Sequence, residues 1–154
     1  MNETTAEAST RIDASPDKVW HVLADASAWP TFFMGIHLET DWKLGSPLRM
    51  TGEFKGKSFE DKGEILAIEP AKRLSFSHFS GMSGQPDMPE NYHVVTFKLS
   101  PSGGGTEVAL TQSNLKGGIT DADRKHRTEY EQNWQTVLQG LADATEKFAH
   151  RKST

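Results

Sequence analysis

The chain has 154 residues, no cysteine and a formal net charge of −4. Without cysteine there are no disulfides, thiolate nucleophiles or Cys-built zinc sites, and the mixed, mildly acidic charge with no basic run argues against a nucleic-acid partner. No apolar run approaches the ~20 residues that span a bilayer, and the polar opening MNETTAEAST lacks the basic start and apolar centre of a signal peptide, so a cytoplasmic protein with one domain over residues 1–154 is expected.

Alternation over Ala8–Ile12 predicts a short first strand. In DASPDKVWHVLAD, Ser15 stands where an N-cap would, Pro16 suits the first helical position and Asp17 favours the positive helix end. Val19, Trp20 and Leu23 give this helix an apolar side. A second short helix is expected around Ser27–Phe33, with Pro30 bearing on its limits.

From Ile36 to Leu115 the period changes from 3.6 to 2, with strands near 36–44, 48–55, 58–68, 73–80, 91–100 and 105–114. The turns Gly45-Ser46-Pro47, Lys55-Gly56-Lys57, Pro70-Ala71-Lys72 and Gly103–Gly105 are short, so neighbouring strands run antiparallel as a meander. The loop NLKGGITD leads to a long helix capped by Thr120 or Asp121. In EYEQNWQTVLQGLADATEKF the residues Tyr130, Trp134, Val137, Leu138, Leu141 and Phe148 form one apolar stripe. A one-sided antiparallel sheet with helices gathered on one face is an α+β domain. At ~1.5 Å per residue the last helix is long enough to cover that face.

Alternation also says which side chains point beneath this helix. Pairing across the loop 81–90 sets His78 opposite His93, Phe76 beside Val95 and Leu74 beside Phe97. A hairpin closing around Ser102–Gly104 sets Gln112 opposite His93, Leu110 opposite Val95 and Val108 opposite Phe97. His78, His93 and Gln112 then form a polar row at the end of the sheet shared by loops 55–58, 81–90 and 114–121. The last two loops are expected to gate an opening there. An apolar interior with a few convergent polar groups is the composition of a ligand pocket. The expected ligand-binding residues are Phe76, His78, His93, Val95, Phe97, Leu110 and Gln112 on the sheet, with Tyr130, Trp134 and Leu138 on the helix. The same pattern also suits the wet rim of a filled core, where polar groups bond to backbone or water.

The segments ASPDKVWHVLAD, TDWKLGSPLRM, DKGEILAIEPAKRLSFSH, SGQPDMPENYHVVTFKL, GTEVALTQSNL and NWQTVLQGLADATEKF make the chain recognisable. Over roughly residues 8–148 it resembles the SRPBCC superfamily (START-like and Bet v-like domains), in the branch named after the activator of heat-shock protein 90 ATPase. The resemblance implies a helix-grip fold: a curved antiparallel meander wrapped around a long C-terminal helix, with two short helices after the first strand. It also implies a deep, mostly apolar cavity between helix and sheet. It does not choose a function, because one fold hosts many. The true co-chaperone has a separate N-terminal domain that engages the chaperone; this sequence shows none, which speaks against direct stimulation of a chaperone ATPase.

No G-x-S-x-G, H-E-x-x-H or glycine-rich phosphate loop occurs. No cofactor is expected. Asp61 is the one carboxylate that could join His78 and His93 around a metal, but the three lack a compact motif, and no metal is expected. The leading expectation is a binding protein for a small hydrophobic or aromatic molecule, without nucleic acid or membrane, its oligomeric state open to a homodimer. A cyclase- or isomerase-type cavity enzyme is the alternative, with His93 as base and His78 or Gln112 orienting the substrate. A co-chaperone-like or stress-related interaction module working through its surface is the third reading.

Overall fold

The computed structural model describes residues 4–81 and 84–153. Residues 1–3 and 154 of the expected domain, and Met82 and Ser83 of the expected loop 81–90, lie outside the described residues. Strand β1 (Thr4–Ile12) leads to helix α1 (Pro16–Leu23), a 3-10 turn (Ala26–Ala28) and helix α2 (Trp29–Phe32). Strands β2 (His37–Thr40), β3 (Pro47–Phe54), β4 (Lys57–Glu69), β5 (Arg73–His78), β6 (His93–Ser102) and β7 (Gly105–Asn114) follow, then helix α3 (Asp121–Ser153).

The helix ends are set by the expected chemistry. The Ser15 hydroxyl accepts the Lys18 amide at 3.4 Å, ahead of Pro16. Thr120 caps α3 reciprocally: its hydroxyl accepts the Asp123 amide at 3.1 Å, and Asp123 accepts the Thr120 amide at 2.9 Å. The seven strands form one antiparallel sheet in the order β1-β7-β6-β5-β4-β3-β2. With α3 laid across it and the short helices after β1, this is the α+β helix-grip fold.

Two registers matter for what lies beneath α3. Between β5 and β6, His78 opposes His93, Phe76 opposes Val95 and Leu74 opposes Phe97, as the sequence implies. Between β6 and β7 the expected register is two residues out. Gln112 opposes Val95 rather than His93, Leu110 opposes Phe97, and His93 opposes Asn114. The cause is the turn. Ser102 pairs with Gly105, leaving the two-residue turn Gly103-Gly104 with φ of 52° and 84°. Such a turn matches the strand twist only with both central residues left-handed, which glycine supplies without strain.

The C-terminal half of α3 is packed solid. Val137, Leu138, Leu141 and Ala142 are buried in one cluster with Leu23, Trp29 and Phe32 from the short helices and with Phe76 and Phe97 from the sheet. Trp29 stacks on Phe33 at 4.8 Å and donates its indole N–H to the Leu23 carbonyl at 2.8 Å. Gly140 faces α2: a Cβ there would lie 2.8 Å from the Phe32 carbonyl oxygen and 3.0 Å from its Cα. Among the described residues no helix is long and apolar enough to cross a membrane.

Candidate functional site: an apolar pocket with a carboxylate–histidine pair

The N-terminal half of α3 stands over a hollow. A pocket of about 190 Å³ lies between it, the sheet and the segment after α2. Phe33, Met34, Ile36, Met50, Phe76 and Val95 supply its apolar walls. Asp61, His78 and Gln112 reach it from the sheet, and Tyr130, Asn133 and Trp134 from α3. A dry cavity of about 150 Å³ accepts benzene, whereas drug-sized ligands fill roughly 300 Å³ or more. The space therefore suits one ring or a short branched chain.

Four of the polar side chains on the wall, Asp61, His78, Gln112 and Trp134, are held by hydrogen bonds. Asp61 is buried; one carboxylate oxygen meets His78 Nε2 at 2.8 Å and the other accepts the Gly81 amide at 3.0 Å. With Asp61 ionised, that nitrogen carries the proton, and His78 Nδ1 is left as an acceptor with no partner among the described residues. Gln112 is buried, and its side-chain oxygen accepts the Trp134 indole N–H at 2.7 Å. Indole only donates, so this bond fixes which end of the amide faces Trp134 and leaves the Gln112 NH₂ group as a donor. Trp134 is pinned on its other side by an edge-to-face contact with Phe33 at 5.7 Å. Burial, then the charges of Asp123 and Glu129, push the Tyr130 hydroxyl above its ordinary range, so it too stays a donor.

Six of the ten sequence-predicted residues meet at this wall: Phe76, His78, Val95, Gln112, Tyr130 and Trp134. Four do not. Phe97, Leu110 and Leu138 are fully buried in the packed core, the first two opposed to each other by the shifted β6–β7 register. His93, the expected base, is absent from the lining and faces Asn114 instead. The polar row is thus different from the expected one. It runs from Asp61 through His78, His93 and Asn114 to Asp123, whose carboxylate accepts from Asn114 at 2.8 Å. Burial, and secondarily the neighbouring His78, push His93 below its ordinary value, with Asp123 opposing. Burial raises Asp123, but bonds from Thr120 and Asn114 and the nearby His93 outweigh it and hold the carboxyl below the ordinary range. Among the described residues no group of three His, Asp or Glu side chains is placed to hold a metal ion.

The pocket's opening also lies elsewhere than at the two expected loops. No residue of 84–90 or 114–121 lines the pocket. Asp87 pairs with Lys62 and accepts the Tyr92 hydroxyl at 2.6 Å. Lys62 and Tyr92 alternate with Asp61 and His93, so the loop folds onto the opposite face of the sheet. The pocket instead meets solvent where its lining is exposed, at Asn133 on α3 and at Met34, 54% exposed in a left-handed turn with Gly35. Of the wall residues the sequence reading missed, Met50 follows the alternation of its strand, and Asn133 lies three residues from Tyr130 on the same helix face. Phe33, Met34 and Ile36 sit around an irregular turn and carry no periodic signal.

Comparison with known proteins supplies the rest. The family described as "Activator of Hsp90 ATPase homolog 1-like protein" matches residues 13–146. A solution structure from Cytophaga hutchinsonii is 41% identical, with 94% of this chain and 95% of that one covered and a TM-score of 0.74. The Aha1 dimer from Colwellia psychrerythraea is 22% identical, with 92% and 95% covered and a TM-score of 0.65. Ara h 8.0201 is 16% identical, with 92% and 96% covered and a TM-score of 0.68. These last two share the fold. No curated protein matches the sequence.

Proposed function

The chain belongs to the Activator of Hsp90 ATPase homolog 1-like family, and on that premise we propose that it binds a small aromatic or short aliphatic molecule bearing one hydrogen-bond acceptor, held under the N-terminal half of α3. The observation that carries this reading is the Gln112–Trp134 bond. It fixes the side-chain amide on an apolar wall with its NH₂ group free to donate, and that group is not sealed in the core. An apolar molecule with a carbonyl or hydroxyl oxygen can accept from it while covering Phe76, Val95 and Met50. Of the large apolar residues exposed among the described ones, Met34 and Leu44 stand on separate connections, and those of Met88 and Leu115 meet beside Tyr92 around the charged Lys62 and Asp87. The pocket therefore carries the reading better than a surface module does.

The test is a titration followed by amide NMR, with acetophenone as the polar probe and toluene as its apolar counterpart. Both are expected to saturate, with shifts confined to residues 33–36, the pocket-lining parts of β3 to β7 and residues 130–134. Gln112→Leu is expected to weaken acetophenone roughly ten- to a hundredfold and toluene little. Shifts scattered over the surface, or no saturation with either probe, would overturn the reading.

A further inference from the structure

We propose that the pocket is also a proton-transfer site: His78 takes a proton from the carbon next to a small substrate's carbonyl, and the oxygen is held by Gln112 or Tyr130. This rests on the binding reading above. Three observations carry it. His78 and Asp61 both line the pocket, and they are bonded to each other at 2.8 Å. Asp61 is fixed from behind by the Gly81 amide, so the carboxylate orients the ring and fixes its tautomer rather than facing the substrate. Two donors without partners among the described residues, the Gln112 amide nitrogen and the Tyr130 hydroxyl, reach the same space from β7 and α3.

The roles follow from these positions. A base oriented by a carboxylate on one wall, with hydrogen-bond donors on others, is the arrangement that enolisation needs. The His78 Nδ1 lone pair takes the α-proton, and the C–H electrons become the C=C bond of the enolate. The carbonyl π electrons move onto oxygen, where Gln112 and Tyr130 donate to it. The imidazolium, stabilised by Asp61, returns a proton to carbon. No oxidant, reductant or second substrate enters, so the balance closes on proton transfer alone. His93 takes no part, because it lies off the pocket wall. The substrate class is a small enolisable aryl or alkyl ketone or aldehyde, limited to about one ring by the 190 Å³ available.

Hydrogen–deuterium exchange at the methyl group of acetophenone in D₂O, read by NMR, tests this directly. The whole protein is expected to accelerate exchange saturably. His78→Gln is expected to lower the rate at saturation by about 10²- to 10⁴-fold, the usual weight of a general base. Asp61 is a positioning residue. Asp61→Asn can still accept the Gly81 amide but presents an NH₂ group to His78, which forces the proton onto Nδ1 and removes the base. A similar fall in rate is therefore expected with the dissociation constant for acetophenone within twofold of the parent. A purely structural Asp61 would instead move affinity or stability. Acetophenone that binds with exchange at the buffer rate would overturn the catalysis and leave the pocket standing. Undiminished exchange in His78→Gln would overturn the assignment of the base. Failure to bind would overturn both readings.

Discussion

The two halves of α3 do different work on the same sheet. From Val137 to Ala142 the helix is sealed onto aromatic and branched side chains, and Gly140 brings its backbone against that of α2. From Tyr130 to Trp134 it spans a space of about 190 Å³ and meets the sheet through two hydrogen bonds, Trp134 to Gln112 and the Glu7 amide to Glu131. One uninterrupted apolar stripe runs through both. The stripe reports which face turns inward; it does not report whether the opposite wall comes up to meet it. Here the filled half faces Phe97 and Leu110, and the short helices close its flank. In the hollow half the aromatic Phe33 braces Trp134 from the side instead of filling the space below.

Deleting volume separates the halves most strongly. Leu138→Ala is expected to cost about 2–5 kcal/mol in urea unfolding, because a fully buried side chain leaves a cavity that tight surroundings cannot close. A cost below about 1 kcal/mol would mean that the sealed half is loose. Adding volume should give the opposite contrast. Val137→Phe is expected to cost about 1–3 kcal/mol by overpacking, whereas Val95→Phe, on the pocket wall, costs less than about 1 kcal/mol and abolishes probe binding. Equal costs at the two positions would erase the distinction between filled and hollow.

Gly140→Ala sharpens the comparison at the backbone. Helix propensity alone favours alanine by roughly 1 kcal/mol, but its Cβ would press on the Phe32 carbonyl. A net loss of about 1 kcal/mol in thermal or urea unfolding is expected, and a gain would show that α2 gives way. Thr145 tests the same half from the other direction. Its hydroxyl is fully buried with no partner among the described residues, so Thr145→Val is expected to raise stability by about 1 kcal/mol.

The weakest expected effect is pH dependence beside the hollow half. His93 is held below its ordinary value of 6.5 in the fold, so the unfolded chain binds the proton first as pH falls. Its contribution is complete above pH 6.5 and is lost through the window between 6.5 and the lower folded value. Unfolding curves at pH 7.5 and 5.5 should differ less in His93→Gln than in the parent. The Asp123 contribution is lost in a separate and more acidic window, since that carboxyl is depressed below 3.8.

The fold was legible because its signals are local. Ser15, Pro16 and Thr120 mark helix starts by their own chemistry, and alternation marks the strands. The β5–β6 register could be read from two ends of one loop. The site was legible only where a register was right. The twin glycines of the β6–β7 turn allow closure at either of two positions; two residues of slip moved Gln112 away from His93 and put Leu110 in the core. The Asp61–His78 pair joins neighbouring strands beyond the register shift at Ile65–Ala67, so counting back from the β4–β5 turn puts Asp61 one residue out. The Met34 turn has no period at all.

The pairing of β1 with β7 bears on how the chain reaches this state. Strands β2 to β7 can be added hairpin by hairpin, each beside the last. β1 has no partner except the final strand, and the Thr5 hydroxyl that bonds the Gln112 carbonyl bridges 107 residues. Contacts of such long sequence separation place the domain among slow folders, in the millisecond-to-second range. During synthesis the first strand leaves the ribosome and waits, its ladder groups unpaired, for nearly the whole chain to follow. Gln112 sits on that closing strand. A nascent chain halted before it holds Asp61 and His78 but not the amide across from them, so the polar walls of the pocket come together only at the last step of folding.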